Sequence, residues 1–471
     1  MRVPLYTTAE IRRIESLAAG GRPPLMERAG LAAADLSVKL ASERGKDILV
    51  LAGPGNNGGD ARIAARILAE RFFRVTTVGA ADAATLPEGK PWALVIDGLF
   101  GIGLTREVTG EYARLVEYAN AQRCRVLALD IPSGVASDSG RVLGAAVRAT
   151  HTITFIASKP GLLTLDGPDH CGEVTVADLG LDATAILPPG GWVAARDAVS
   201  DAPTPRPRNF HKGKAGSVAV LGGASGMVGA ALLAGRAALN LGAGKVFVGV
   251  LDQDAPGFDP GALELMLRHP DDVLGLDLDA IVIGPGLGEG EHAEALLGAA
   301  LSSEIPCVLD ADALNLLARG DELREACTRR SADTLITPHP AEAARLLGTN
   351  TREVQNDRLG AARLLRERFN AHVVLKGNGS VLVAKDGRWY INTTGNPGMA
   401  SAGMGDVLAG LLGAMLAQGL EGEAALVLGT HLHGAAADAC VNESIGPIGL
   451  TASEVAGGAR RIWNRWAAGA A

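Results

Sequence analysis

Gly395-Asn-Pro-Gly-Met-Ala-Ser-Ala-Gly-Met-Gly-Asp406 packs four glycines and a closing carboxylate into twelve residues, and an uncharged apolar run follows it as far as Glu421. Glycines let a backbone approach a ligand closely, and a helix opening there offers unpaired N–H groups and the positive end of its dipole. That combination suits phosphate, with Asp406 placed to take a proton from a hydroxyl; the plainer alternative is an N-capping aspartate on a core helix. A second stretch, Gly53-Pro-Gly-Asn-Asn-Gly-Gly-Asp60, follows the apolar run Ile48–Ala52 and precedes a helix-like segment. Strand, glycine loop and helix make a phosphate-cradling turn, although the two amides depart from the dinucleotide GxGxxG pattern. Asp97 and Asp130 each end an apolar run and open a loop, Gly98–Arg106 and Ile131–Gly134. With Asn57 and Ser133 they offer hard oxygen ligands of low total charge, as a weakly demanding cation would need.

Those residues need parallel strands to bring them together. Strand-like segments at 47–52, 74–79, 92–97 and 125–130 alternate with helical stretches, and the alternation predicts a parallel sheet with helices on both faces and ligands at the strands' carboxyl ends. Residues 186–210 are rich in Pro and Gly and read as a linker, placing the domain boundary at 205/206: an N-terminal domain over 1–205 and a C-terminal domain over 206–471. In the second half the pattern repeats. Ser217–Leu221 exits into glycines, Ala280–Ile283 into Gly-Pro-Gly-Leu-Gly288, Cys307–Leu309 into Asp310 and Asp312, Leu335-Ile-Thr-Pro into His339, and His372–Leu375 into Lys376-Gly-Asn-Gly-Ser380. The fold class expected is therefore α/β, as two three-layer domains. Asp312 reads as a helix cap and His339 as either a ligand contact or a rigid solvated turn. His431 and His433 read as structural, because positions i and i+2 on a helix face apart.

Composition bounds the partners. The 471 residues are 47% hydrophobic and 20% charged with a net charge of −8 and no basic run, which argues against nucleic acid. Five cysteines form no CxxC pair, the N-terminus lacks a signal-peptide core, and the uncharged run 407–420 is too short for a bilayer. A cytoplasmic protein without membrane contact is expected, and its many small residues suit assembly into a homo-oligomer.

GPGNNGGD, DGLFGIGL, ALDIPSGV and the segment Phe155–Leu163, in that order, resemble the NAD(P)H-hydrate epimerase domain, a Rossmann-like fold. The resemblance implies that Asn56, Asn57, Gly58, Gly59 and Asp60, with Gly101, Ile102, Gly103, Leu104, Thr105, Arg106 and Glu107, hold the hydrated nicotinamide nucleotide. It further implies that Asn57, Asp97 and Ser133 hold potassium, and that Asp130 is the acid–base residue. Ala61 departs from the usual glycine. HKGKAGSVAVLGG, IGPGLG, LDADALN, TPHPAE, LKGNGS and GMGDVLAG resemble the ADP-dependent NAD(P)H-hydrate dehydratases, which are ribokinase-like. Here the resemblance implies that Ala230, Gly286, His339 and Asp406 contact the hydrated nucleotide, with Asp406 catalytic. Lys376, Gly377, Asn378, Gly379, Ser380 and Gly405 would contact the adenine nucleotide, ADP or ATP with magnesium. Met404 stands where the family more often has Ser or Thr, and Ala341 where it more often has Gly. The function implied is repair of hydrated NADH and NADPH: epimerisation of the R and S hydrates by the first half, ADP-dependent dehydration of the S hydrate by the second. The alternatives are a small-molecule kinase fused to a nucleotide-sensing domain, and a non-enzymatic binding module in the first half.

Overall fold

The structure is a computed structural model, and it describes residues 2–41, 45–87, 89–199 and 203–469. Two compact units divide the chain, Val3–Gly191 and Trp192–Ala471, the latter with Met1–Arg2.

In the N-terminal unit six parallel strands form one sheet: β1 (Asp47–Ala52), β2 (Arg74–Val78), β3 (Leu94–Gly98), β4 (Arg125–Leu129), β5 (His151–Phe155) and β6 (Glu173–Ala177), in the order β2-β1-β3-β4-β5-β6. The run Ile48–Ala52 is wholly apolar because both of its faces are covered. Ile48, Val50 and Ala52 join the cluster containing Ala33 of α2 (Leu25–Ala41) and Ala64 of α3 (Asn56–Glu70). Leu49 and Leu51 join the opposite cluster with Leu115 of α4 (Gly110–Asn120), so helices cover both faces of the sheet. The chain leaves β1 for β2 on one side and returns for β3 on the other. The carboxyl ends of β1 and β3 therefore flank a topological switch point, the place where such sheets bind ligands. The lead-in helix α1 (Thr8–Leu17) buries Ile11 and Ile14, while Leu17, on the same spacing, is 61% exposed.

Two expectations shift here. The segment expected to be loop through Asp60 is helical from Asn56, with Gly55 in extended conformation at the N-cap. Asn56, Asn57, Gly58, Gly59 and Asp60 thus occupy the opening turns of α3. Gly58 permits this close entry, because a Cβ there would lie 1.9 Å from the Gly53 carbonyl oxygen. The division between units falls before the expected 205/206 boundary. The strand β7 (Gly191–Ala194), hidden in the Pro- and Gly-rich segment, already joins the second sheet. Residues 200–202 of that segment lie outside the described residues.

The C-terminal unit continues with β8 (Ser217–Gly222), β9 (Lys245–Val250), β10 (Met266–Arg268), β11 (Ala280–Ile283), β12 (Cys307–Leu309), β13 (Thr334–Ile336), β14 (His372–Leu375), β15 (Val381–Val383) and β16 (Trp389–Asn392). Their order is β7-β16-β15-β14-β13-β12-β11-β8-β9-β10, and β14, β15 and β16 pair antiparallel. Val218 and Val220 of β8 pack into one cluster with α5 (Val228–Asn240), α10 (Met404–Ala417), α11 (Gly422–Asn442) and α12 (Ala452–Ala467). The intervening Ala219 and Leu221, equally buried, face the other side. Four further helices matter below or cover that side: α6 (Glu291–Ser302), α7 (Asp312–Arg319), α8 (Pro340–Leu347) and α9 (Arg358–Phe369). The outward switch lies between β8 and β11. Among the described residues only α11 has the length and apolarity of a membrane span, and 72% of that stretch is buried within the fold, where it serves as a core helix.

Candidate active sites

In the N-terminal unit the strand-end residues surround a cavity of about 340 Å³. Asn56, Asn57 and Asp60 of α3 line it, as do Gly101, Ile102, Gly103, Leu104, Thr105 and Arg106 of the loop after β3, and Asp130 at the end of β4. Gly58, Gly59 and Glu107 do not reach its wall. Gly101 must stay small, since a Cβ there would sit 3.3 Å from both Asn57 and Asp130 Oδ2. Asp130 is held at φ +66, a left-handed conformation a non-glycine residue adopts only at a cost, with its amide donating to Ile153 O at 2.7 Å.

Lys159 approaches Asp130 from the Phe155–Leu163 segment. Fully buried, its ammonium donates to Asp130 Oδ1 at 2.5 Å, Phe155 O at 2.7 Å and Thr154 Oγ1 at 2.8 Å. All three protons are used, which fixes the carboxylate in position. Two more carboxyl groups face the cavity. Burial, with the Asp130 and Glu15 charges, pushes Asp60 up to about 8; burial and Asp130 likewise raise Glu15. Lys159 in its motif carried no assigned role, and Glu15 and Arg12 of α1 gave no signal at all. Only the fold brings α1 to this wall.

Asp97 and Ser133 lie behind the cavity. The buried Asp97 accepts Ser133 Oγ at 2.6 Å, Ser133 N at 2.8 Å and Leu99 N at 3.2 Å. Burial outweighs those bonds and raises its pKa to about 6. Ser133 Oγ in turn accepts Phe100 N at 2.8 Å, and Asn57 Nδ2 donates to Phe100 O at 2.9 Å. Asn57 Oδ1 is buried without a hydrogen-bond partner. The expected trio is thus joined through one loop, with one carboxylate, neutral oxygens and an orphaned acceptor. The methyl of Ala61 is accommodated over Gly98, whose missing side chain makes the room.

In the C-terminal unit α10 begins at Met404, so Gly405 and Asp406 stand in its first turn, at the positive end of its dipole, rather than on the preceding loop. Beneath them lies an ion-pair cluster. Asp310, buried at the end of β12, accepts Lys376 Nζ at 2.9 Å and Thr337 Oγ1 at 2.7 Å, and Glu342 Oε2 lies 4.0 Å from the same ammonium. A Cβ on Gly405 would be 3.3 Å from Lys376 Nζ and 3.4 Å from Asp310 Oδ2. Burial disfavours the Lys376 charge, but Asp310 and Glu342 outweigh it and hold its pKa above the ordinary value. Burial, then Asp310, push Asp406 up to about 7, against the lowering pull of Lys376.

Ala230 and Gly286 meet: a Cβ on Gly286 would lie 3.3 Å from that of Ala230, and Gly286 O accepts Ala224 N at 2.6 Å. His339 is about half exposed and also has a structural task. Its Nδ1 caps α8, accepting Ala341 N at 3.1 Å and Glu342 N at 3.3 Å, and Glu342 Oε2 returns the bond to His339 N at 2.8 Å. Burial and the nearby Lys376 lower its pKa, so it is neutral. The expected cap Asp312 instead accepts Gly288 N at 2.8 Å, tying the IGPGLG loop to α7. Gly377 and Gly379 adopt φ +145 and +61, and Ser380 Oγ donates to Gly377 O at 3.0 Å. His431 stacks on Trp466, and burial lowers the His433 pKa to about 4. Asp310 ends an apolar strand just as Asp97 and Asp130 do, so the same rule points to it. Glu342, three residues after His339, was missed in the sequence because a capping box is ordinarily opened by Ser or Thr.

Two α/β units, each with its polar residues gathered at a strand-end rim, define a nucleotide-handling enzyme of two active sites. Residues 218–456 match the family model described as NAD(P)H-hydrate dehydratase, and residues 23–88 and 80–161 match that described as YjeF-related protein N-terminus. The bifunctional NAD(P)H-hydrate repair enzyme Nnr of Coxiella burnetii is 39% identical over 96% of this chain and 97% of its own. The chain belongs to the bifunctional NAD(P)H-hydrate repair enzymes, in agreement with the resemblance of both sets of motifs. Among solved structures, the ADP/ATP-dependent NAD(P)H-hydrate dehydratase of Bacillus subtilis, co-crystallised with ATP and Mg2+, is similar at 29% identity with a TM-score of 0.50, covering 57% of this chain and 100% of that one. A ribokinase-like superfamily protein from Enterococcus faecalis, 23% identical with a TM-score of 0.51 over 59% of this chain and 97% of its own, shares the fold.

Proposed function

We propose that the N-terminal unit interconverts the R and S hydrates of NADH and NADPH, and that the C-terminal unit dehydrates the S hydrate using ADP or ATP. The observation that carries this reading is that one bifunctional relative matches the chain across both units, while the motif residues collect at one rim in each.

In the first unit the substrate occupies the cavity between residues 56–60 and 101–107. Its hydroxylated ring carbon also bears the ring nitrogen. Asp130, aligned by Lys159, takes the hydroxyl proton and delivers it to that nitrogen as the carbon–nitrogen bond opens. The resulting aldehyde turns and recloses on its other face, the proton returning by the same route. Asn57, Asp97 and Ser133 suit potassium: one buried carboxylate, neutral oxygens and the unpartnered Asn57 Oδ1 match a weakly demanding monovalent cation. Bound there, it would supply charge that steadies the loop after β3.

In the second unit Asp406 accepts the ring-hydroxyl proton as the hydroxyl oxygen takes the nucleotide's terminal phosphoryl group, the bond to the leaving AMP (from ADP) or ADP (from ATP) breaking, and first-turn N–H groups of α10 steady the transferring group. Ala230, Gly286 and His339 bound the nicotinamide site, and Lys376–Ser380 with Gly405 hold the adenine nucleotide. Phosphate then departs with the C–O electron pair, the ring nitrogen lone pair fills the gap, and loss of a proton from the neighbouring carbon restores the dihydropyridine. Magnesium would enter on the nucleotide's phosphates, the usual way this hard cation reaches a phosphoryl-transfer site. No disulfide joins the five cysteines, which suits a reducing compartment.

Two variants test the division of labour. Asp406→Asn is expected to cut dehydration by about 10²–10⁴ and leave epimer exchange intact, with Asp130→Asn doing the reverse. Full dehydratase turnover in Asp406→Asn removes Asp406 from the base role.

A further inference from the structure

We infer that Arg358 is a positioning residue for the loop 376–380, a buried guanidinium that holds the nucleotide-binding loop in its working shape and contributes positive charge beneath the phosphates. The inference rests on the reading of that loop as the adenine-nucleotide site.

Arg358 opens α9 and is 1% exposed. Nη1 donates to Gln355 Oε1 at 2.8 Å. Nη2 faces three carbonyls at the exit of β14: Leu375 O at 3.1 Å, Lys376 O at 3.4 Å and Gly379 O at 3.5 Å. One planar fork thus draws both ends of the turn inward, a task a lysine's point charge performs poorly. The loop must lie directly against the guanidinium to do this. Gly377 allows it, since a Cβ there would come within 2.9 Å of Arg358 Nη1, and its φ of +145 is one other residues rarely adopt.

The electrostatics point the same way. Burial alone pulls the Arg358 pKa down to about 10, so it stays cationic at neutral pH. Among the described residues no carboxylate charge offsets that burial, and its Nε has no hydrogen-bond partner. A buried cation balanced only by carbonyl dipoles is costly to keep. A polyanion bound on the loop above it offsets that cost.

The test uses the full chain with magnesium and either ADP or ATP as probe. Hydrogen exchange at residues 376–380 is followed with and without nucleotide in the parent, and nucleotide KM and kcat of dehydration are measured in the parent, Arg358→Met and Arg358→Lys. Both variants are expected to raise the nucleotide KM about tenfold or more, with kcat within about threefold, a change of order one charge-assisted hydrogen bond. Epimer exchange, made by the other unit, reports that the chain is intact. Should Arg358→Met fail to fold, Arg358→Lys decides. Unchanged KM with lowered kcat in either variant makes Arg358 a stability residue and overturns the inference alone. No nucleotide protection of 376–380 in the parent removes the loop reading and the inference together.

Discussion

Asp406, the proposed base of dehydration, shows how burial can fit one carboxyl to such a task. Its ordinary pKa of 3.8 would leave a weak base; burial, with Asp310 nearby, raises it to about 7. A base works only when ionised, so dehydration should rise with pH through about 7, falling tenfold per unit below it. Stability runs the opposite way. The folded state favours the protonated acid, so the contribution of Asp406 is fully present below its unfolded value and is lost as pH rises through about 7. Asp406→Asn is therefore expected to gain stability relative to the parent above pH 7 while losing turnover. Thermal unfolding at pH 6 and pH 8.5 checks it: an equal shift at both would detach the raised pKa from this residue. Asp130 takes a different route, an ion pair with a lysine that spends all three of its protons. That pairing spans 29 residues of chain, and nothing in the local sequence announces it.

At the scale of elements, the strands were legible because buried parallel strands are apolar on both faces and end abruptly. That rule located Asp97, Asp130, His339 and Lys376 at their rims, and it reaches Asp310 as well. The helix starts were not legible. Asn56 and Met404 open helices in sequence that reads as glycine loop, because tertiary contact, not propensity, fixes the turn. The strand Gly191–Ala194 was concealed by its Pro- and Gly-rich surroundings, and Arg358 by its resemblance to any helix cation. Gly58 is the clearest case of an element dictating a residue. A methyl there would lie 1.9 Å from Gly53 O. Gly58→Ala should push α3 off β1, at a cost of about 1–3 kcal/mol or more, and abolish epimer exchange without changing dehydration. Normal exchange in that variant would show that α3 does not need its close entry.

At the scale of the whole molecule, the two units make chemical sense on one chain. A kinase-like site built around one base and one phosphoryl path accepts one hand of the hydroxylated carbon, and damage yields both. A second site that exchanges the hands makes the whole pool available to the first. The most direct test mixes both epimers of hydrated NADPH with the chain, ADP, magnesium and potassium, and follows the return of reduced-nicotinamide absorbance. Full recovery, faster than the epimers exchange unaided, is the expected result. Recovery that halts when one epimer is consumed would contradict an active N-terminal unit, and no recovery with either ADP or ATP would contradict the repair function itself.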